Sequence, residues 1–162
     1  MRYWLVKQEP SVYSFGDLER DGETEWNGVH NPTALLHLRA MRVGDLAIFY
    51  HSGDERAAVG VLEIVRSAQP DRSDPRPSWT VRVRAVRRLR SPVELAAIRS
   101  DPAFAGFDLL RISRLSVLPV SEAHWKRLMS LAEGAKVESY RPATAGARGR
   151  ARTSGSRQRG SA

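Results

Sequence analysis

Hydrophobic positions along this chain come in short bursts separated by polar punctuation. Residues 2–7 (Arg-Tyr-Trp-Leu-Val-Lys) are mostly apolar and β-prone, which predicts a buried first strand. Pro10 breaks it by removing a donor and pushing Glu9 toward an extended conformation. Ser14-Phe15-Gly16-Asp17 has the spacing of a capping box and predicts a short helix that ends near Asp21-Gly22. The polar run Trp26-Asn27-Gly28-Val29-His30-Asn31 follows as a loop. Asn31-Pro32 then suits a helix start, and Leu35, Leu38 and Met41 recur at helical spacing. Val43-Gly44-Asp45 turns the chain into a second strand, Leu46-Ala47-Ile48-Phe49-Tyr50, which ends in a polar rim, His51-Ser52-Gly53.

Ala57 to Val65 predicts a third strand, inside which Gly60 marks a bulge or a close backbone approach. Residues 67–78, with Pro70, Pro75 and Pro77, read as a loop long enough to carry function. The fourth strand is the clearest: Trp79, Val81, Val83 and Ala85 alternate with Thr80, Arg82 and Arg84. One of its faces is core; the arginine face (Arg82, Arg84, Arg88) reads as a solvated sheet surface. Ser91-Pro92-Val93-Glu94 matches a second capping box and predicts a helix to about Ser100. A last strand is expected at Leu115-Ser116-Val117, then a Ser121-capped helix carrying Trp125, Leu128, Met129 and Leu131, with Gly134 as its stop. Some five short strands with interspersed short helices predict a mixed α/β domain around a curved sheet or small barrel, not a parallel βαβ array.

Charge changes the picture once it is divided along the chain. Residues 135–162 hold seven basic side chains against the single acid Glu138, six of the eight net positive charges. The expected domain, residues 1–134, is therefore nearly balanced. The remainder, residues 135–162, has almost nothing to bury and reads as a basic, disordered tail able to attract phosphate backbones without sequence preference. With no cysteine, disulfides, thiol catalysis and cysteine-held metals are excluded. No apolar run approaches a membrane span and no signal peptide is evident, so a cytoplasmic protein without membrane contact is expected.

Chemistry is sparse. No glycine-rich phosphate loop or dinucleotide fingerprint is present, and His30, His37, His51 and His124 lack metal-ligand spacing, so neither cofactor nor metal is expected. No serine sits in a nucleophile elbow. What remains is the Trp26–Asn31 run. Its indole offers a stacking face, its asparagines and histidine offer donors and acceptors, and Gly28 permits close backbone approach. That is the inventory of a pocket for a flat, hydrogen-bonding molecule such as a nucleobase, or of a tight turn whose tryptophan plugs the core.

Six motifs in register decide between these. Trp4-Leu5-Val6-Lys7-Gln8-Glu9-Pro10, Trp26-Asn27-Gly28-Val29-His30-Asn31, Met41-Arg42-Val43-Gly44-Asp45, Phe49-Tyr50-His51-Ser52, Pro70-Asp71 and Arg114-Leu115-Ser116-Val117-Leu118-Pro119-Val120 together resemble the EVE domain family over residues 1 to about 134. The resemblance implies a PUA-like fold, a small curved β-barrel of five to six strands with flanking short helices, related to the YTH domains that hold a methylated base in an aromatic cage. It further implies a monomeric, non-enzymatic module for DNA or RNA bearing a modified base. By resemblance, Trp26 corresponds to a cage wall, and Asn27, Gly28, Val29 and Asn31 to the polar loop around the pocket. Lys7, Gln8 and Glu9 line the same cavity, Tyr50, His51 and Ser52 form its rim, and Arg114 contacts a phosphate. Trp79 is the further aromatic available for stacking. The sequence departs from the family at Gln8, where serine is commoner, and after Val29, where an arginine and an asparagine are replaced. Stacking worth about 1–3 kcal/mol per base, with hydrogen bonds to the base edge, would offset the few kcal/mol of unstacking. Two other classes stay open: a nuclease or base-modifying enzyme using Glu9, Asp71 and His51, and a small-molecule or protein-interaction module using the same cavity.

Overall fold

The apolar run near the start of the chain forms β1 (Tyr3–Gln8), and its partners come from distant sequence. A computed structural model describes residues 1–133. In it, β1, β2 (Glu23–Trp26), β3 (Leu46–His51), β4 (Ala57–Pro70), β5 (Trp79–Glu94) and β6 (Val117–Val120) form one sheet in the order β2-β5-β4-β3-β1-β6. β1 runs parallel to β3, with Val6 beside Phe49 and Lys7 beside Tyr50, and antiparallel to β6, with Leu5 beside Leu118. A parallel pair needs a long crossover. Here it is supplied by α1 (Phe15–Asp21), β2 and α2 (Pro32–Ala40). The other pairings are antiparallel. Four register shifts along β4 and β5 bend the sheet, which keeps β2 and β6 as open edges and does not close on itself. This is the expected mixed α/β, curved PUA-like arrangement. The basic tail and the Gly134 stop lie outside the described residues. Among those described, no helix is long and apolar enough to cross a membrane.

Local signals act as expected at the first two helices. Ser14 Oγ accepts from Asp17 N at 3.0 Å and Asp17 Oδ2 accepts from Ser14 N at 2.9 Å, a complete capping box. Asn31 Oδ1 accepts from Ala34 N at 2.9 Å, with Pro32 in the first turn of α2. Ser121 does the same for α5 (Glu122–Glu133), accepting from His124 N at 3.1 Å. The second expected box is corrected. Ser91 to Glu94 continue β5, because Val93 and Glu94 pair with Ala58 and Ala57, and α3 begins only at Leu95 (Leu95–Ser100) with no side-chain cap. A 3₁₀ turn (Pro102–Phe104) and α4 (Asp108–Arg111) lead on to β6, which starts two residues later than expected.

Gly60 satisfies both of its expected roles. It sits at a register shift, and a Cβ there would lie 2.4 Å from the Phe15 ring. Phe15 is fully buried and edge-on to Phe49, at 5.4 Å, so it has little room to move. Gly60→Ala is expected to lower the unfolding free energy by about 1–3 kcal/mol, the usual cost of overpacking, read as an earlier urea midpoint.

The arginine face of β5 is balanced by glutamates. Arg82 meets Glu23 at 2.8 Å and Glu25 at 3.1 Å, Arg66 meets Glu25 at 2.8 Å, Arg84 pairs with Glu63, and Arg88 pairs with Glu19. Burial alone would raise the Glu25 carboxyl, but Arg66, Arg82 and Thr80 hold it below the usual carboxylate range. Arg66, Arg82 and Arg84 lace the outer face of the sheet together. Arg88, expected on the same face, lies over the Phe15 ring at 5.4 Å, because a register shift turns this part of β5 over.

Candidate functional site

The residues singled out from the sequence fall into groups, and strand alternation sorts them. Register partners share a face of the sheet, and successive residues point to opposite faces. Phe49 is edge-on to Trp26 at 5.3 Å and to His51 at 5.4 Å, so these three rings lie on one face. Tyr50, between Phe49 and His51, and its partner Lys7 lie on the other. Trp26 and Tyr50 therefore do not wall a common pocket in this arrangement. Trp79 is on the Trp26 side, since Trp26 pairs with Val81 and Trp79 is two residues from Val81 on β5.

On the first face, Trp26 ends β2 and is 2% exposed. Its carbonyl accepts from Thr80 Oγ1 at 3.0 Å. Beyond it the backbone turns at Gly28, whose φ of 78° favours glycine. Val29 is buried, and its carbonyl accepts from Ser78 Oγ at 2.8 Å. Asn31 is exposed, with its carboxamide oxygen committed to capping α2. Trp79 is half-buried, with the Arg39 guanidinium over its ring at 4.1 Å, a cation–π contact. Asn27 is different. Its Oδ1 is buried and has no hydrogen-bond partner among the described residues. A buried acceptor left unmade costs about 1–3 kcal/mol, so a donor brought to this oxygen would be favoured.

A latch that no local sequence pattern announces holds this loop. His30 Nε2 donates to Asp74 Oδ2 at 2.6 Å, and its Nδ1 accepts from Arg76 Nη2 at 2.7 Å. The carboxylate partner fixes the proton on Nε2. With the Ser78–Val29 bond, these contacts tie residues 27–31 to the 71–78 loop. A backbone hydrogen bond from Arg76 and the His30 contact hold the Asp74 carboxyl below its usual range.

The expected rim is more structural than its polarity implied. His51 is completely buried. Its Nε2 accepts from Phe15 N at 3.0 Å, which places the proton on Nδ1, and that atom donates to Glu55 Oε1 at 2.5 Å. Gln8 is buried, with its Oε1 accepting from Glu9 N at 3.1 Å, and Ser52 N donates to the Gln8 carbonyl at 3.0 Å. Glu9 is exposed beside Gly53. Asp71 accepts from Ser73 within the 71–78 loop, through the backbone N–H at 3.0 Å and the hydroxyl at 2.6 Å. Both His51 and Asp71 thus have partners of their own.

On the opposite face, Lys7 Nζ donates to the Ser113 carbonyl at 2.9 Å and lies 5.9 Å above the Tyr50 ring. Burial pulls the Lys7 ammonium below its usual pKa and pushes the Tyr50 hydroxyl above its own. Arg114, next to Ser113, is exposed. Four clefts of about 300 to 500 Å³ lie on the described surface, and none of the four is lined by Trp26 or Asn27.

The EVE domain family model matches residues 2–131. Human thymocyte nuclear protein 1 is 31% identical to this chain, over 81% of the chain and 74% of that protein. The solution structure of a Rhodopseudomonas palustris protein, Rpa0253, is 41% identical with a TM-score of 0.77, covering 82% of this chain and 93% of that one. The crystal structure of human THYN1 protein in complex with 5-methylcytosine-containing DNA is 29% identical, again with a TM-score of 0.77, covering 82% of this chain and 98% of that one.

Proposed function

The chain belongs to the EVE domain family, and on that premise we propose that it is a nucleic-acid-binding module, without chemistry of its own, that takes a modified base beside Trp26. The observation that carries this reading is the buried Asn27 Oδ1, without a partner among the described residues, on the residue that follows the buried Trp26. An acceptor there matches the exocyclic amine of cytosine or adenine, a donor on the Watson–Crick edge. The 5-methylcytosine DNA held by a relative of the same fold supports a methylated cytosine as the first base to try. Because the indole is closed into the core, a flipped base reaches it only after the latched 27–31 and 71–78 loops part. Opening them breaks the His30–Asp74 and Ser78–Val29 bonds, so entry is gated by those contacts. A methyl in an apolar pocket is worth about 1–3 kcal/mol, so modification is expected to raise affinity by roughly 10- to 200-fold, not to act as an absolute requirement.

The test is a titration of the full chain with oligonucleotides of one sequence, with and without 5-methylcytosine. Wild-type protein should prefer the modified strand. Asn27→Ala should weaken binding of both oligonucleotides, because cytosine and 5-methylcytosine carry the same exocyclic amine, while leaving the melting temperature close to that of the wild type. Equal affinities in the wild type, or a variant that binds both strands as tightly as the wild type, would overturn the reading.

A further inference from the structure

We propose that Arg56 and Arg99 form a phosphate-binding site for the nucleic-acid backbone on the Tyr50 side of the sheet, away from Trp26. This rests on the nucleic-acid reading above and adds to it a place where the strand is held.

The arginines of this fold divide into two populations. Arg82, Arg84, Arg87 and Arg88 of β5 are each paired with a glutamate, whereas some other arginines carry no ion pair among the described residues. Arg56 and Arg99 make no ion pair among the described residues, and both are exposed. They line one cleft of about 300 Å³ together with Glu55, Glu94, Leu95 and Ala96. Of the two acids, Glu55 is committed to His51, while Glu94 makes no ion pair among the described residues. Two exposed guanidinium groups beside one cleft have the forked donors that suit a phosphodiester oxygen pair.

Backbone geometry keeps Arg56 in place. It is the one non-glycine residue with positive φ among those described, at 48°, in the left-handed region that a long side chain rarely occupies. Its carbonyl accepts from Leu95 N at 2.9 Å, which fastens the β3–β4 turn to the first residue of α3. Arg99 lies one helical turn further along α3. A strained residue fastened in this way is a site where function is worth seeking.

The surroundings extend the positive surface. Burial raises the pKa of the Tyr50 hydroxyl, and Arg56 and Arg99 both pull it back, so both guanidinium groups are within electrostatic reach of it. Lys7 lies over the same ring, and its ammonium reaches the Ser113 carbonyl, immediately before exposed Arg114. Lys7, Arg56, Arg99 and Arg114 thus surround or adjoin the end of the β1–β3 pair, whereas the base-pocket residues occupy the other face. A strand following these cations would present its phosphates here while one base turns toward Trp26.

The experiment measures affinity of the full chain for labelled oligonucleotides, with cytosine or 5-methylcytosine, across a salt series. Arg56→Asn is the first variant, because asparagine accepts a left-handed backbone and the fold should not suffer. It is combined with Arg99→Gln. The double variant should weaken binding of both oligonucleotides equally, leave their affinity ratio unchanged, and reduce the slope of log K against log salt by about one, the loss of one phosphate contact. The charge-preserving pair Arg56→Lys and Arg99→Lys should restore that slope. A double variant with the wild-type slope and affinity overturns the site while the discrimination ratio still stands for the base pocket. A changed ratio with an unchanged slope also overturns it, because the arginines would then be reading the base. A wild-type protein that binds neither oligonucleotide overturns both readings.

Discussion

Trp26→Ala lowers the unfolding free energy by about 3–5 kcal/mol, the typical cost of truncating a buried aromatic. Native domains hold only about 5–15 kcal/mol in total, so the variant should be partly unfolded at mild urea concentrations. The size of the effect follows from position. Trp26 is 2% exposed and meets Phe49 edge-on, and Phe49 in turn touches both Phe15 and His51. Removing the indole opens a void at the centre of that ring cluster. Trp26→Phe should recover most of the loss. An Ala variant with a wild-type urea midpoint would show instead that the indole is held loosely, as a ready cage wall would be. A binding defect in Trp26→Ala therefore reports folding first, and Asn27→Ala is the sharper probe of recognition.

Asp45→Ala is the second large effect, expected at about 2–4 kcal/mol. Asp45 is buried, and its two oxygens accept from Arg2 N at 3.0 Å, Trp4 Nε1 at 2.9 Å and Arg42 N at 2.9 Å. Truncation strands the indole N–H inside the core and frees two backbone donors, and a buried donor left unmade costs about 1–3 kcal/mol. The same carboxylate makes stability depend on acid. Burial would raise its pKa, but the three donors and the nearby N-terminal charge outweigh burial and hold it below the ordinary Asp value of about 3.9. A group depressed in the folded state contributes fully above its unfolded pKa, and that contribution is lost as pH falls through the folded value. Urea midpoints taken from pH 5 down to pH 2 should decline in the wild type, and decline less steeply in Asp45→Ala. Parallel declines would remove Asp45 as a source of the acid sensitivity.

Features set by neighbouring residues were legible in the sequence. The Ser14–Asp17 box, the Asn31–Pro32 helix start and the close approach at Gly60 each follow from the residue at the position and those within a turn of it. Features set by distant pairing were not. Ser91-Pro92-Val93-Glu94 carries the same local signal as a helix start, yet pairing with Ala57 and Ala58 keeps it extended. β2 has only four residues, too few for an alternation pattern to stand out. Within the candidate site, composition marked Trp26 and Asn27, and the structure supplies the orphaned oxygen that makes Asn27 informative. Tyr50 and His51 read as one rim because they are adjacent, although adjacency in a strand separates side chains by the thickness of the sheet. His51 also illustrates a buried polar residue whose partners, Phe15 and Glu55, are visible only in three dimensions. The His30 latch joins residues more than forty positions apart, and no spacing rule connects them.

The position of β1 between β3 and β6 has a consequence for how the chain is made. Synthesis proceeds from the N-terminal side, so the apolar strand Tyr3–Gln8 leaves the ribosome before either of its partners. One edge waits for Leu46–His51 and the other for Val117–Val120, a delay on the order of ten seconds at ordinary elongation rates. Through that interval the nascent chain displays an unpaired hydrophobic edge, the kind that recruits other strands. The sheet is thus completed only when β6 emerges, and the six-residue strand β1 keeps one unpaired edge until then.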